Sequence, residues 1–213
     1  MLSRLARRIR LFTFPATCGL KAIRMEDLIA GHGDVTFRVA RWDKDIAAGS
    51  FWDACAVALL SHVIQPKLAI EFGTGHGRGS AQIAANSSPE AIIITVDISD
   101  HAEKGSVFRE LPEASKIRQH VADTTTFDFS RWFGQADLVL VDGSHEYDVV
   151  VKDTKTAFKL VSPKGVILWH DVTPDWPGVV RALRESPDRE SIRRLVGTNY
   201  AVFAGAELRS GSS

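Results

Sequence analysis

The sequence predicts an α/β fold: a doubly wound, mostly parallel sheet of seven strands that closes with an antiparallel hairpin. Three observations carry this. From residue 66 onward, short apolar runs alternate with segments of helical periodicity. The first run, Leu68 to Phe72, breaks into glycines at 73, 75, 77 and 79 before a helical segment begins, as at the first strand–turn–helix unit of an open α/β sheet. The last two runs are joined only by Gly197-Thr198-Asn199. That gap is too short for a parallel crossover, so these two strands must pair antiparallel.

The elements follow in order. Residues 1–49 read as an N-terminal extension, a helical cap at most, because Pro15, Gly19, Gly31 and Gly33 keep any helix short. Residues 51–65 carry dense apolar positions at helical spacing and stop before Pro66, which predicts a helix packed on the sheet. Strands are expected at 68–72, 92–96, 117–121, 137–141, 165–170, 192–196 and 200–204. Helices fit at 78–86, 102–111, 146–160 and 177–185. The main domain is then 50–205, and 206–213 reads as a disordered tail. There is no internal repeat and no low-complexity linker.

The 213 residues are enough for one domain with a substantial core. With 26 basic and 26 acidic side chains, the chain lacks the basic excess that marks general nucleic-acid binding, and no nucleic-acid partner is expected. No apolar run approaches the roughly 20 residues of a membrane span. Cys18 and Cys55 match no zinc or redox spacing and fit two free thiols in a reducing cytoplasm. Charge is uneven only at the start. Arg4, Arg7, Arg8 and Arg10 interleave with Leu2, Leu5, Ile9 and Phe12, a pattern that fits either a packed helix or a peripheral contact with anionic lipid.

The chemistry concentrates around the glycines. A glycine turn between strand and helix leaves backbone N–H groups open to a ligand. Asp97 ends the next strand, 20 residues after Gly77, where an acid can accept hydrogen bonds from ribose hydroxyls. A nucleoside cofactor is therefore expected. The spacing G-x-G-x-G departs from the dinucleotide pattern G-x-G-x-x-G, and Arg78 stands where the latter needs its third glycine. Glu71 at the strand end is awkward beside a pyrophosphate but suits a cofactor with positive charge, such as a sulfonium with an amino-acid tail. The Tyr-x-x-x-Lys pair of short-chain dehydrogenases is missing, since Lys152 falls one place late after Tyr147.

The pattern E-x-G-x-G-x-G, followed by an acid after the second predicted strand, resembles the class I S-adenosylmethionine-dependent methyltransferases. The run Asp137 to Tyr147, with its V-D-G-x-H-x-Y segment, then Asp153, then Gly165 to Asp171 ending in His-Asp, is similar to a branch of small bacterial methyltransferases. The resemblance covers about residues 50–205 and implies a Rossmann-like methyltransferase fold. It further implies S-adenosylmethionine as cofactor, bound by Glu71, Gly73, Gly75, Gly77, Asp97 and Asp123, with Asp123 near the adenine amino group. The implied reaction is O-methylation of a small molecule or a glycan acceptor. Hydroxylase-like chemistry, aminopropyl transfer on the same fold and a non-catalytic accessory role are the alternatives.

Asp142, His145, His170 and Asp171 are expected to meet where the carboxyl ends of neighbouring strands converge. Two mechanisms are open. Asp142 and Asp171 can hold Mg2+ or another divalent cation, as the resemblance to metal-dependent catechol methyltransferases suggests. Alternatively His145 or His170 is the general base, with Asp142 beside it. His145 is the favoured base, on the expectation that Asp171 holds its neighbour His170. Trp169 and Trp176 are candidates for the acceptor wall, and His76 is expected to be exposed and non-catalytic.

Overall fold

In a computed structural model that describes residues 18–41, 50–101 and 103–205, the alternating pattern folds into one eight-stranded sheet. In chain order the elements are β1 (Lys21–Ile23), α1 (Met25–Leu28), α2 (Phe51–Ile64), β2 (Leu68–Phe72), α3 (Arg78–Asn86), β3 (Ile92–Asp97), α4 (Ser106–Arg109) and β4 (Ile117–Val121). They continue with β5 (Ala136–Val141), α5 (Tyr147–Leu160), β6 (Val161–Trp169), α6 (Pro177–Arg184), β7 (Arg193–Leu195) and β8 (Ala201–Ala204). The strand order is β1-β7-β8-β6-β5-β2-β3-β4. From β2 through β6 all pairings are parallel, and β8 runs antiparallel to both β6 and β7. The terminal hairpin is as expected.

Both faces of the central strands are buried, which is why they read as continuous apolar runs. Ile70, Phe72, Val139, Val141, Ile167 and Trp169 pack with Val150 and Leu160 of α5 and Val179 and Leu183 of α6. Ala69, Ile93, Leu138, Leu140 and Leu168 pack with Val57 and Leu60 of α2, Ile83 of α3 and Phe108 of α4. Trp169 belongs to this core. It is fully buried, and its indole N–H donates to Thr154 Oγ1 at 3.0 Å.

Three differences from the sequence reading have local causes. The eighth strand, β1, comes from the N-terminal extension and pairs with β7; three residues are too few to show periodicity. The segment 38–40 is held by side-chain amides of α3. Gln82 exchanges two hydrogen bonds of 2.8 Å with the backbone of Ala40, and Asn86 does the same with Arg38. The helix expected at 102–111 shrinks to four residues, because Gly105 stands at its start with φ near +68° and a 3-10 turn begins at Pro112. The N-terminal basic arm and the tail, residues 1–17 and 206–213, lie outside the described residues. Among the described residues no helix is long and apolar enough to cross a membrane.

Candidate active site

The chain leaves β2 toward β3 and β4, then crosses back to place β5 on the other side of β2. The strand ends therefore diverge between β2 and β5, and a crevice opens there, as in other doubly wound sheets. Gly73 and Asp142 face each other across it. The Asp142 N–H donates to the Phe72 carbonyl at 2.8 Å. A Cβ on Gly73, whose φ is +89°, would lie 2.2 Å from the Asp142 carbonyl oxygen. Only glycine permits both the turn and the approach. At Gly75 the space around a Cβ is open, so this backbone faces solvent.

A cavity of about 220 Å3 lies over the turn, lined by Gly73, Asp97, Ile98, Asp123, Gly143 and Ser144 among others. It unites the glycine turn with both acids expected to touch a nucleoside. Its acids suit hydroxyl and amino donors and a cationic centre, so its chemistry fits S-adenosylmethionine. Asp97 has a second task. Its Oδ2 accepts from the Thr74 and Gly75 N–H groups at 2.9 Å each, and its Oδ1 accepts from the Ser99 N–H and hydroxyl at 2.9 and 2.7 Å. Burial opposes ionisation, but these donors and Lys104 outweigh it, and the carboxyl is held below its ordinary range. Asp123 accepts from the Thr125 N–H at 2.8 Å and is likewise lowered, by the hydrogen bonds of Thr125.

Glu71 does not line this cavity. It is 1% exposed and accepts from the Ser80 N–H (3.0 Å), the Ser80 hydroxyl and the Thr95 hydroxyl (2.6 Å). It therefore ties the start of α3 to β3 beneath the turn. The sequence reading set Glu71 against the cofactor; in the structure it anchors the turn from beneath, because its carboxylate is buried against Ser80 and Thr95. Burial dominates and pushes its pKa up to about 7, against the hydrogen bonds that lower it. The folded state thus holds a proton that the unfolded chain releases. That contribution is complete below about 4.5, the ordinary value, and is lost as pH rises through about 7. Glu71→Gln should flatten this dependence. In denaturant titrations at about pH 4 and about pH 8, the parent should lose on the order of 3 kcal/mol relative to the variant. Parallel profiles for the two proteins would contradict the buried proton.

The polar cluster assembles at the ends of β5 and β6. His170 is 8% exposed. Its Nδ1 lies 3.0 Å from Asp142 Oδ1 and 3.5 Å from Asp171 Oδ2, and its Nε2 lies 3.4 Å from Asp53 Oδ2. Burial disfavours a charged ring, but Asp142, Asp53 and Asp171 outweigh it and raise the His170 pKa well above the ordinary value. His145 is different. Its Nε2 lies 2.7 Å from Asp171 Oδ2, its side chain is 39% exposed, and its ring stacks on Trp176 at 3.6 Å between centroids. Asp171 was expected to hold His170; its shorter contact is with His145. Asp171 reaches it from a backbone with φ +56°, a conformation that aspartate tolerates better than most residues. Trp176, 40% exposed, covers one face of the His145 ring, whereas Trp169 is core. His76 is half-buried near Glu103, away from this cluster.

Asp53 was missed in the sequence. It sits in the first turn of α2, where it forms a capping box with Ser50. The same carboxylate accepts from the Asn199 N–H at 2.7 Å and its side-chain N–H at 2.9 Å. Asp53 therefore ties α2 to the tip of the β7–β8 hairpin. Burial would raise its pKa, but His170 and these N–H groups lower it overall. The cap was legible as S-x-x-D; the 117-residue separation from His170 was not.

Asp142, His170 and Asp171 each offer one ligand atom within 4.8 Å of the others. The donor set fits a resident hard cation poorly. One of its three donors is an imidazole nitrogen, and hard divalent ions prefer oxygen ligands.

Residues 70–172, just under half of the sequence, match a family model described as a methyltransferase domain. Over that span the chain is similar to a methyltransferase domain. Solved structures agree on its fold. The O-methyltransferase TomG from Streptomyces achromogenes, involved in tomaymycin synthesis and solved with S-adenosylmethionine, is 19% identical with a TM-score of 0.60; the match covers 97% of this chain and 100% of that one. A TDP-rhamnose 3'-O-methyltransferase of calicheamicin biosynthesis is 16% identical over 72% of this chain and 80% of its own, with a TM-score of 0.57. An O-methyltransferase from Bacillus cereus in complex with the demethylated cofactor is 15% identical over 68% and 76%, with a TM-score of 0.50. No curated protein matches the chain significantly. The methyltransferase fold thus extends beyond residues 70–172 to the terminal hairpin, where Asn199 meets Asp53.

Proposed function

We propose that the protein transfers a methyl group from S-adenosylmethionine to a hydroxyl of a small molecule or sugar, with His145 as general base. The observation that carries this is the 2.7 Å contact between Asp171 and the half-exposed His145 beside the ends of β5 and β6. An ionised carboxylate only accepts, so His145 donates its Nε2–H and keeps Nδ1 free to take a proton. His170 has acids on both ring nitrogens and no such free edge. Trp176 fixes the His145 ring from one face.

When bound, the cofactor supplies a methyl on a cationic sulfur, whose departure needs no acid. The protein's own task is therefore on the acceptor side. Gly73 and Gly75 present backbone to the cofactor, Asp97 accepts from ribose hydroxyls in exchange for Ser99, and Asp123 accepts from the adenine amino group. His145 withdraws the hydroxyl proton while the crevice holds the acceptor oxygen in line. The O-methyltransferases of tomaymycin and calicheamicin synthesis support a small-molecule or glycosyl acceptor.

Calorimetry tests the cofactor half. S-adenosylmethionine and its demethylated product should bind, and Asp97→Ala should weaken them by roughly 1.5–3 kcal/mol, the range for hydrogen bonds to a charged group. Binding of NAD with no response to either compound would overturn the reading.

A further inference from the structure

Asp153 has no part in the chemistry above, and the packing does not account for it. It lies on α5 four residues after Val149, and residues four apart share a helix face. Val149 lines the cavity over the glycine turn, and so does Thr124. Asp153 is 1% exposed, and among the described residues neither of its carboxylate oxygens has a hydrogen-bond partner. Burial dominates and pushes its pKa up to about 6, with Asp123 adding to the rise, against the nearby Thr124 hydroxyl and Lys152. A buried acid without a partner is unfavourable where an apolar side chain would not be. The loop that carries Thr124 is tied down elsewhere. The Ala122 N–H donates to the Asp97 carbonyl at 3.0 Å, and the Thr126 and Phe127 N–H groups donate to the Asp123 carbonyl at 3.1 and 2.9 Å. Asp123 Oδ1 accepts from the Thr125 N–H at 2.8 Å. Thr124 is left between the cavity and the buried acid.

We propose that Asp153 is a positioning residue of the cofactor site: when the nucleoside enters, the Thr124 hydroxyl donates to the Asp153 carboxylate, and this bond fixes the 122–127 loop and the direction of Asp123. The acid is unpaired in the free protein and paired in the complex. It therefore adds to cofactor affinity and not to folding stability. The inference rests on reading the cavity over the glycine turn as the S-adenosylmethionine site.

The test is calorimetric titration of the demethylated cofactor into the full chain and into Asp153→Leu, Thr124→Val and the double variant, with melting temperatures taken without ligand. Asp153→Leu should melt no lower than the parent yet bind roughly ten- to hundredfold more weakly, the loss of one hydrogen bond to a charged group. Thr124→Val should weaken binding by a similar factor. The double variant should bind no more weakly than either single one, because both remove the same bond. Asp153→Asn keeps an acceptor and should bind close to the parent. In turnover, the leucine and valine variants should raise the KM for S-adenosylmethionine and leave kcat near the parent value. Losses that add in the double variant would overturn the proposal, since Thr124 would then act on the cofactor without Asp153. So would parent-like binding by Asp153→Leu, or a loss of affinity accompanied by a lower melting temperature. If the leucine variant does not fold, parent-like binding by Thr124→Val overturns the proposal. A parent that binds neither S-adenosylmethionine nor its product would strike the methyl-transfer reading and this proposal with it, whereas equal binding by parent and variants strikes this proposal alone.

Discussion

Turnover should fall by about 10²–10⁴ when His145 is replaced by glutamine, the usual contribution of a general base. Glutamine keeps a side-chain donor for Asp171 but offers no basic nitrogen. Cofactor affinity should stay at the parent value, because His145 does not line the cavity over the glycine turn. His145→Gly should be partly rescued by added imidazole, which a merely structural histidine would not show. Asp171→Asn should also slow transfer, since an amide can present its N–H to the ring and favour the wrong tautomer. Single-turnover rates with saturating cofactor check all three variants. A near-parent rate for His145→Gln would remove the base and leave the chemistry to Asp142 and proximity.

His170→Leu should cost about 3–5 kcal/mol of folding stability, the loss expected when one partner of a buried ion cluster is removed and the other charges remain. In a chain of this size that lowers the melting temperature by on the order of 10 °C. The parent should also respond to pH through this ring. Its folded pKa is raised above the ordinary value of 6.5, so its contribution is complete below about 6.5 and is lost as pH rises through the higher folded value. The leucine variant should lack this alkaline decline. Thermal scans of both proteins from neutral to alkaline pH measure it. Equal stability of parent and variant would mean that the three acids are compensated in some other way.

The fold was legible because its signals are local. Apolar runs such as Ile93 to Val96 and Leu138 to Val141 are buried on both faces, and no long-range information is needed to recognise them. The Gly197-Thr198-Asn199 link forced the antiparallel hairpin. The glycines were legible for a related reason: alternating glycine after a strand has few uses other than an open backbone turn. Asp97 was legible from its place at the end of the next strand and Asp123 from the family resemblance; that both line one cavity is read from the structure.

What the sequence alone determined is the α/β architecture, the glycine turn and the gathering of Asp142, His145, His170 and Asp171 at neighbouring strand ends. Only the tertiary structure decided which partners these groups take. Asp171 pairs most closely with His145, across 26 positions. Asp53 reaches His170 across 117. Lys21 to Ile23 find β7 at the far edge of the sheet. The reason is geometric. Periodicity fixes which face a residue presents, because that depends on the φ/ψ repeat of its own segment. A hydrogen-bond partner depends on distances of about 3 Å between elements that the chain brings together only on packing. The raised pKa of His170 follows from those distances, and so does the proposal that His145 rather than His170 is the base.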